Sequence, residues 1–240
     1  GSAVKPPVDC ACLIHGKLYD WEYVERLYRA ITRNLSRPFN LHVFTEAARP
    51  VPDHMIKHPL IDWGFEGAKQ GWWYKLQLFN INNHRGPLLY FDLDTVIVDC
   101  IDWIVDLPTN VLWAPKDFKY LWRPSHNGIN SSVLWFDTMA FYDVYRQFAM
   151  QDVKTVSRRY PGDQDYLNEY IIPKRRRFFD PAHVRSWRWE CHDGGFDFRR
   201  RTNRRPGTGT ETLGSSIMVF HGNPKPLNLL HDPVIAEHWC

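Results

Sequence analysis

Apolar and polar residues along the chain follow two rhythms, one of period two and one near 3.6, and the rhythms take turns. From Val8 to His15, Cys10, Cys12 and Ile14 alternate against Ala11 and Leu13, which predicts a first strand. Trp21, Val24, Leu27, Tyr28 and Ile31 then recur at helical spacing and predict a helix from about Asp20 to Asn34, with Asp20 as its N-cap. Phe39 to Thr45 reads as a second strand. Gly71 to Asn83 reads as helical, with Trp73, Leu76, Phe79 and Asn80 near one face and His84-Arg85-Gly86-Pro87 ending it. Leu88-Leu89-Tyr90-Phe91 is the strongest strand, apolar almost throughout, as a central strand covered on both faces requires. Val111 to Ala114, Ser132 to Phe136 and Ser216 to Phe220 are further strands, and Met139 to Met150 and Asp163 to Tyr170 further helices. This alternation predicts an α/β domain with an open, mostly parallel sheet. Phe178 to Gly214 has no clean period and reads as a long, partly mobile loop system, of the kind that forms lids and binding loops.

The length of 240 residues suits one α/β domain, expected to span 3–240. Gly1-Ser2 reads as a remnant of tag cleavage, which leaves room for a longer natural protein with other domains. A net charge of +3 is too small to argue for a nucleic-acid partner, and none is expected. The basic residues are nonetheless clustered, in Lys174-Arg175-Arg176-Arg177 and in Arg199-Arg200-Arg201 with Arg204-Arg205. Such runs form solvated faces, hold phosphates, or rest on an anionic membrane surface. Cys10, Cys12, Cys100, Cys191 and Cys240 are odd in number and show no C-x-x-C pair, so cysteine spacing suggests neither a zinc site nor a disulfide framework. A reducing, cytoplasmic setting is expected, with the membrane touched at most peripherally. No run approaches the roughly 20 apolar residues that span a bilayer.

Chemistry concentrates at Asp92-Leu93-Asp94, at the carboxyl end of the strongest strand, where ligands bind in open α/β sheets. If the extended backbone continued, both carboxylates would share one face. Two close negative charges without a cation are costly, and a hard divalent cation with oxygen ligands resolves the conflict. The plainer alternative is a pair of turn-forming aspartates. Three other segments add to the case. Gly162-Asp163-Gln164-Asp165-Tyr166-Leu167-Asn168 opens a helix with acidic and amide groups in its first turn, which ordinary capping would also explain. Asn127-Gly128-Ile129-Asn130-Ser131-Ser132 is a polar turn feeding an apolar strand. Val219-Phe220-His221-Gly222-Asn223-Pro224-Lys225-Pro226 sets a histidine at a strand end with a lysine four residues on.

Taken in order, these segments resemble the GT-A glycosyltransferases, most nearly the retaining family that contains glycogenin and the bacterial lipooligosaccharide galactosyltransferases. Asp92 and Asp94 match its D-x-D element. Asn130 matches its Asn-Ser/Ala-Gly strand start, with Ser132 where glycine is usual. Asp163-Gln164-Asp165 with Leu167-Asn168 is similar to its D-Q-D-x-L-N helix start, His221 and Lys225-Pro226 to its terminal histidine and Lys-Pro, and Lys75 to the basic residue before D-x-D. The His-to-Lys spacing is shorter than the family's, and Leu227 stands where a tryptophan is common. The resemblance implies a GT-A fold and transfer of a sugar from a nucleotide-sugar donor, UDP-linked by default, to a glycan, lipid-linked or glycoconjugate acceptor. It implies Mn²⁺ or Mg²⁺ on Asp92, Asp94 and His221, with Lys225 and Lys75 toward the phosphates. His15, in the loop His15-Gly16-Lys17, would meet the nucleotide, and Asp163 and Gln164 would lie near the reacting carbon. It favours retention; an inverting transfer would take Asp163 as general base.

Two rivals stand beside this expectation. Phe91-Asp92-Leu93-Asp94-Thr95-Val96 resembles the first motif of haloacid-dehalogenase-type phosphatases, with Asp92 as nucleophile. That motif usually ends the first strand of its domain, whereas about two strand–helix units precede it here. The other rival, a non-catalytic basic module for nucleic acid or membrane, explains the arginine runs but not the acidic pair.

Overall fold

A computed structural model describes residues 4–240; the Gly1-Ser2 pair lies outside the described residues. In chain order the strands are β1 Val8–Ile14, β2 Phe39–Thr45, β3 Ile56–Pro59, β4 Pro87–Phe91, β5 Thr95–Ile97, β6 Leu112–Ala114, β7 Val133–Asp137, β8 Arg176–Phe178, β9 Val184–Ser186, β10 Phe196–Asp197, β11 Thr202–Asn203 and β12 Ile217–Val219. The α-helices are α1 Glu22–Asn34, α2 Ala68–Gly71, α3 Asp102–Val105, α4 Tyr142–Ala149, α5 Val153–Ser157, α6 Asp163–Tyr170 and α7 Pro233–His238.

The main sheet has seven strands in the order β3-β2-β1-β4-β7-β6-β8. The first four run parallel, β7 is antiparallel to both β4 and β6, and β8 is parallel to β6. The period of two sorts its side chains onto two cores. Cys10, Cys12, Ile14, Leu89, Phe91, Val133 and Trp135 pack on one face with α1, while Ala11, Leu88, Tyr90, Leu134 and Phe136 pack on the other. A smaller sheet, β5-β12-β9, lies against the first of these cores. The predicted strand from Ser216 to Phe220 is therefore real but belongs to this second sheet.

Three expectations need correction. The Gly71–Asn83 helix is a short α2 continued as a 3₁₀ helix, Trp72–Phe79, whose residues from Trp73 onward are all buried. It has no solvent face because α4 and α6 pack on it from outside. Asp20 is not the N-cap of α1; that position is Trp21, although Asp20 Oδ1 still accepts from the Glu22 amide at 3.1 Å. The stretch from Phe178 to Gly214 is folded, through β9, the turn Trp187–Cys191 and the β10–β11 hairpin. Trp187 is buried there, and its indole N–H donates to Thr210 Oγ1 at 2.8 Å. In the basic run 174–177, Lys174 and Arg177 are exposed, but Arg175 and Arg176 are committed to structure. Arg175 grips both oxygens of Asp143 at 2.8 and 2.9 Å, and Arg176 donates to the carbonyls of Asn168 and Ile171 at the end of α6. No helix among the described residues is long and apolar enough to cross a membrane.

Candidate active site

β4 delivers the aspartates, but the chain turns at once instead of continuing extended. Thr95 donates from both its amide (3.3 Å) and its hydroxyl (2.8 Å) to the Asp92 carbonyl, and Leu93 is buried in the core below. The tight turn, rather than strand alternation, is what sets Asp92 and Asp94 side by side, and it carries the chain from the large sheet into β5. The antiparallel pairing of β12 with β5 then places the end of β12 against the same turn, where the Phe220 amide donates to the Asp94 carbonyl at 3.0 Å. Gly222 follows with φ +73°, a backbone shape that suits glycine, and the chain doubles back to bring in Lys225. Lys225 Nζ lies 2.7 Å from Asp94 Oδ2.

Lys75 reaches the site from the buried 3₁₀ helix. Its Nζ sits 3.0 Å from Asp92 Oδ1 and 3.4 Å from Asp163 Oδ2, and it donates to the Ser131 carbonyl and Oγ at 3.2 Å each. Burial pulls the Lys75 ammonium down, but Asp163, Asp92 and Asp94 together outweigh it, and the net shift is upward. The ammonium is therefore charged. For the partners the balance tips the other way. Burial pushes the Asp92 and Asp163 carboxyls above their usual range, further than Lys75 pulls them down, with Asp94 raising Asp92 and Asp92 raising Asp163 besides. Lys75 and Lys225 bring two positive charges to the three carboxylates Asp92, Asp94 and Asp163, so one negative charge is left without a cationic partner.

The loop before β7 is clamped to α6. Ile129 exchanges two hydrogen bonds with the Asn168 amide, at 2.7 and 3.0 Å. The Ser131 amide donates to Gln164 Oε1 at 3.0 Å, and Ser131 Oγ donates to Asp163 Oδ2 at 3.0 Å. Asn130 Oδ1 accepts from the Ser132 amide at 2.9 Å and from the Ser132 hydroxyl, which holds the carboxamide within the loop. Gln164 Nε2 continues the chain of bonds to Asp117 Oδ2 (3.3 Å), which His126 also approaches at 2.9 Å.

Lys75, Asp92, Asp94, Asp163, Gln164, Asn130 and Lys225 thus come together from five segments. His15 follows β1, its ring 4.3 Å from that of Tyr74, next to Lys75. The loop after it is pinned by Glu46 and Arg49, whose groups bond the Gly16 amide (3.2 Å) and carbonyl (2.9 Å). His221 stands to one side. Its Nε2 is 2.7 Å from Ser186 Oγ, its ring lies 4.4 Å from Trp189 and 5.5 Å from Phe118, and it does not join Asp92 and Asp94 in a cluster of ligand atoms. Burial, then the nearby Arg188, drives its pKa down to about 4. Residues that the sequence did not single out complete the site. Ser131 links the two motifs, the Tyr90 hydroxyl donates to Asp92 Oδ1 at 2.6 Å, and Asp94 bears on the half-buried Tyr19. Tyr90 could have been found from strand parity, since it lies two residues before Asp92; Tyr19 carried no local signal.

The acidic pair fits a hard cation. Its donors are carboxylate oxygens, Asp92 Oδ2 takes no hydrogen bond from the described residues, and the surrounding carboxylates are short of positive charge.

No protein-family model matches the chain, and no curated protein matches it in sequence. Solved structures do. An active-site mutant of the galactosyltransferase LgtC superposes with a TM-score of 0.65 at 12% identity, over 91% of this chain and 89% of that one. The glycosyltransferase GlyE of Streptococcus pneumoniae TIGR4 gives 0.65 at 14%, over 93% of this chain and 57% of that one. Mouse xyloside xylosyltransferase 1 gives 0.50 at 14%, over 91% and 98%. At such identities the likeness speaks for the fold: the chain has the GT-A-like fold of these glycosyltransferases.

Proposed function

We propose that the protein is a metal-dependent glycosyltransferase that moves a sugar from a nucleotide-sugar donor, UDP-linked, to a glycan or glycoconjugate acceptor. The observation that carries the reading is the meeting of the motifs at one ammonium: Lys75 lies between Asp92, of the D-x-D turn, and Asp163, of the helix α6 start. Separate structural turns would have no reason to converge there, in a fold shared with glycosyltransferases.

In this reading Asp92 and Asp94 would hold the cation, and His221, bonded to Ser186 in this structure, would have to leave that contact to become a third ligand. The cation would supply Lewis acidity toward the diphosphate leaving group. Lys225 is poised to exchange its contact with Asp94 for a phosphate oxygen, and it adds positive charge where negative charge grows. His15 and its loop, braced by Glu46 and Arg49, face the nucleotide. Lys75 holds Asp163 and Asp92 in register, while the Ser131 bonds fix Asp163 and Gln164 toward the donor sugar. Asp163 is buried, and one of its oxygens is engaged by Ser131 and Lys75. That suits positioning better than proton abstraction from an acceptor, and so it favours retention over inversion.

The acceptor side is open to a sugar ring. Beside His221 a cavity of ≈ 280 Å³ is lined by Trp189, Phe196, Phe198, Glu190 and Arg204, a mixture of aromatic faces and polar ends. Arg199 and Arg200, on the same hairpin, would meet an anionic or lipid-linked acceptor at a membrane face. The phosphatase alternative gains nothing, because β4 is preceded by three strands and the neighbours described are glycosyltransferases.

Calorimetric titration with a panel of nucleoside diphosphates, with and without Mn²⁺, tests this. Mn²⁺-dependent binding of one of them, abolished by Asp92→Asn with Asp94→Asn, is expected; no binding of any with Mn²⁺ present would reject the proposal.

A further inference from the structure

The other end of the parallel strands carries a second cluster of ligand-type side chains, which the sugar-transfer reading does not use. Asp9 is near the start of β1, His42 is in β2, His58 is in β3, and His84 lies just before β4. Residues Asp9 and Ala11 share a face of β1, His42 pairs with Ala11, and the same parity turns His42 and Asp9 toward each other. His42 Nε2 is 2.9 Å from Asp9 Oδ1, and His84 Nε2 is 3.8 Å from Asp9 Oδ2. The three residues offer ligand atoms that all lie within 4.8 Å of one another, the only such group among the described residues. The other ring nitrogen of His42, Nδ1, is 2.7 Å from His58 Nε2, and the two rings are stacked.

We propose that Asp9, His42 and His84 form a site for a borderline transition-metal dication of the Zn²⁺ type, with His58 as the outer partner that orients His42. Two imidazoles and one carboxylate are a zinc-type donor set, unlike the all-oxygen pair at Asp92 and Asp94. In a tetrahedral zinc site, ligand atoms about 2.0–2.1 Å from the metal stand roughly 3.3 Å apart. The observed separations of 2.9 and 3.8 Å straddle that value. His84 Nε2 would give up its 3.1 Å contact with the Pro87 carbonyl, and the proton it donates there would move to Nδ1 so that Nε2 can ligate. The His42–His58 contact is what a ligating histidine needs, because its free N–H must be held by an acceptor.

The proton count closes without loss from this pair. Before the metal binds, His42 donates from Nε2 to Asp9, and His58 donates from Nε2 to His42 Nδ1. Afterwards His42 Nε2 binds the metal, its proton sits on Nδ1 and is donated to His58 Nε2, and the His58 proton sits on Nδ1. Asp9 is about one-quarter exposed and His84 less, so the site is buried enough to be ordered and open enough to load. It would clip β1 and β2 to the loop preceding β4, at the opposite end of that strand from Asp92.

The test is titration of the full chain with Zn²⁺ alone and with Co²⁺ alone, in the Asp92→Asn, Asp94→Asn background so that the acidic pair does not contribute. One equivalent of tightly held Zn²⁺, a visible Co²⁺ spectrum of tetrahedral type and a raised Tm are expected. His84→Gln, at the rim where it spares the fold, would abolish all three, and His58→Gln would weaken Zn²⁺ about 10–100-fold. A chain that binds no Zn²⁺ in this background, or that binds it equally well with His84→Gln, overturns the proposal.

Discussion

Lys75 is the residue on which the site's electrostatics turn. It is buried, with Asp92, Asp163 and Ser131 within bonding distance. Removing the partner of a buried ion leaves the other charge uncompensated, and that costs about 3–5 kcal/mol. Lys75→Met should lose about that much stability in urea unfolding, and adding Asp163→Asn should restore part of it. His221 gives a pH signature. In the unfolded chain it takes a proton near 6.5, but in the folded protein only near 4, with burial as the main cause. Between those values the proton favours the unfolded chain, so this contribution is intact above pH 6.5 and lost as pH falls to about 4. The full difference is roughly 3 kcal/mol. Unfolding with EDTA present should show a shallower loss between pH 6.5 and 4 in His221→Gln than in the parent protein.

Among the elements, α6 and the loop before β7 work as a unit. Asn168 satisfies both backbone groups of Ile129, which is fully buried. Asn168→Ala would leave those groups unpaired, for about 1–3 kcal/mol. It would also loosen Ser131, so the substitution should lower both Tm and turnover although Asn168 touches neither D-x-D carboxylate. The bounds of β2 and α6 were legible in the sequence because hydrophobic period and flanking residues agreed there. The 3₁₀ helix was misread because Tyr74, Lys75 and Gln77 look like a polar face, yet all three are buried and each finds a polar partner: Asp62 and Phe65, Asp92 and Ser131, and Ile61, respectively. The 178–214 stretch looked irregular because its order comes from long-range contacts, such as Trp187 with Thr210 and Thr210 with Asp232, and those have no local period.

At the scale of the molecule, the class of fold followed from the alternation of strands and helices, and the candidate site followed from the acidic pair at the end of β4. What stayed hidden was direction and assignment. Nothing local says that β7 runs antiparallel or that β12 leaves the main sheet, and both decide which loops meet at Asp92. Ser131 was invisible for the same reason, since its role exists only once α6 and the loop before β7 are packed together. The His42 cluster was likewise scattered over some 75 residues of chain, from Asp9 to His84, and only the sheet gathers it.

The central claim is that the turn at Asp92 and Asp94 serves metal-dependent release of a nucleoside diphosphate from a sugar donor. The most direct test incubates the protein with a panel of nucleotide sugars, with Mn²⁺ or EDTA, and quantifies the diphosphate released by the parent protein and by Asp94→Ala. Release from one UDP-sugar that needs Mn²⁺ and falls at least about 100-fold in the variant is expected. Release indifferent to EDTA and to the substitution, or vigorous release of phosphate from phosphomonoesters in place of diphosphate from sugars, would contradict it.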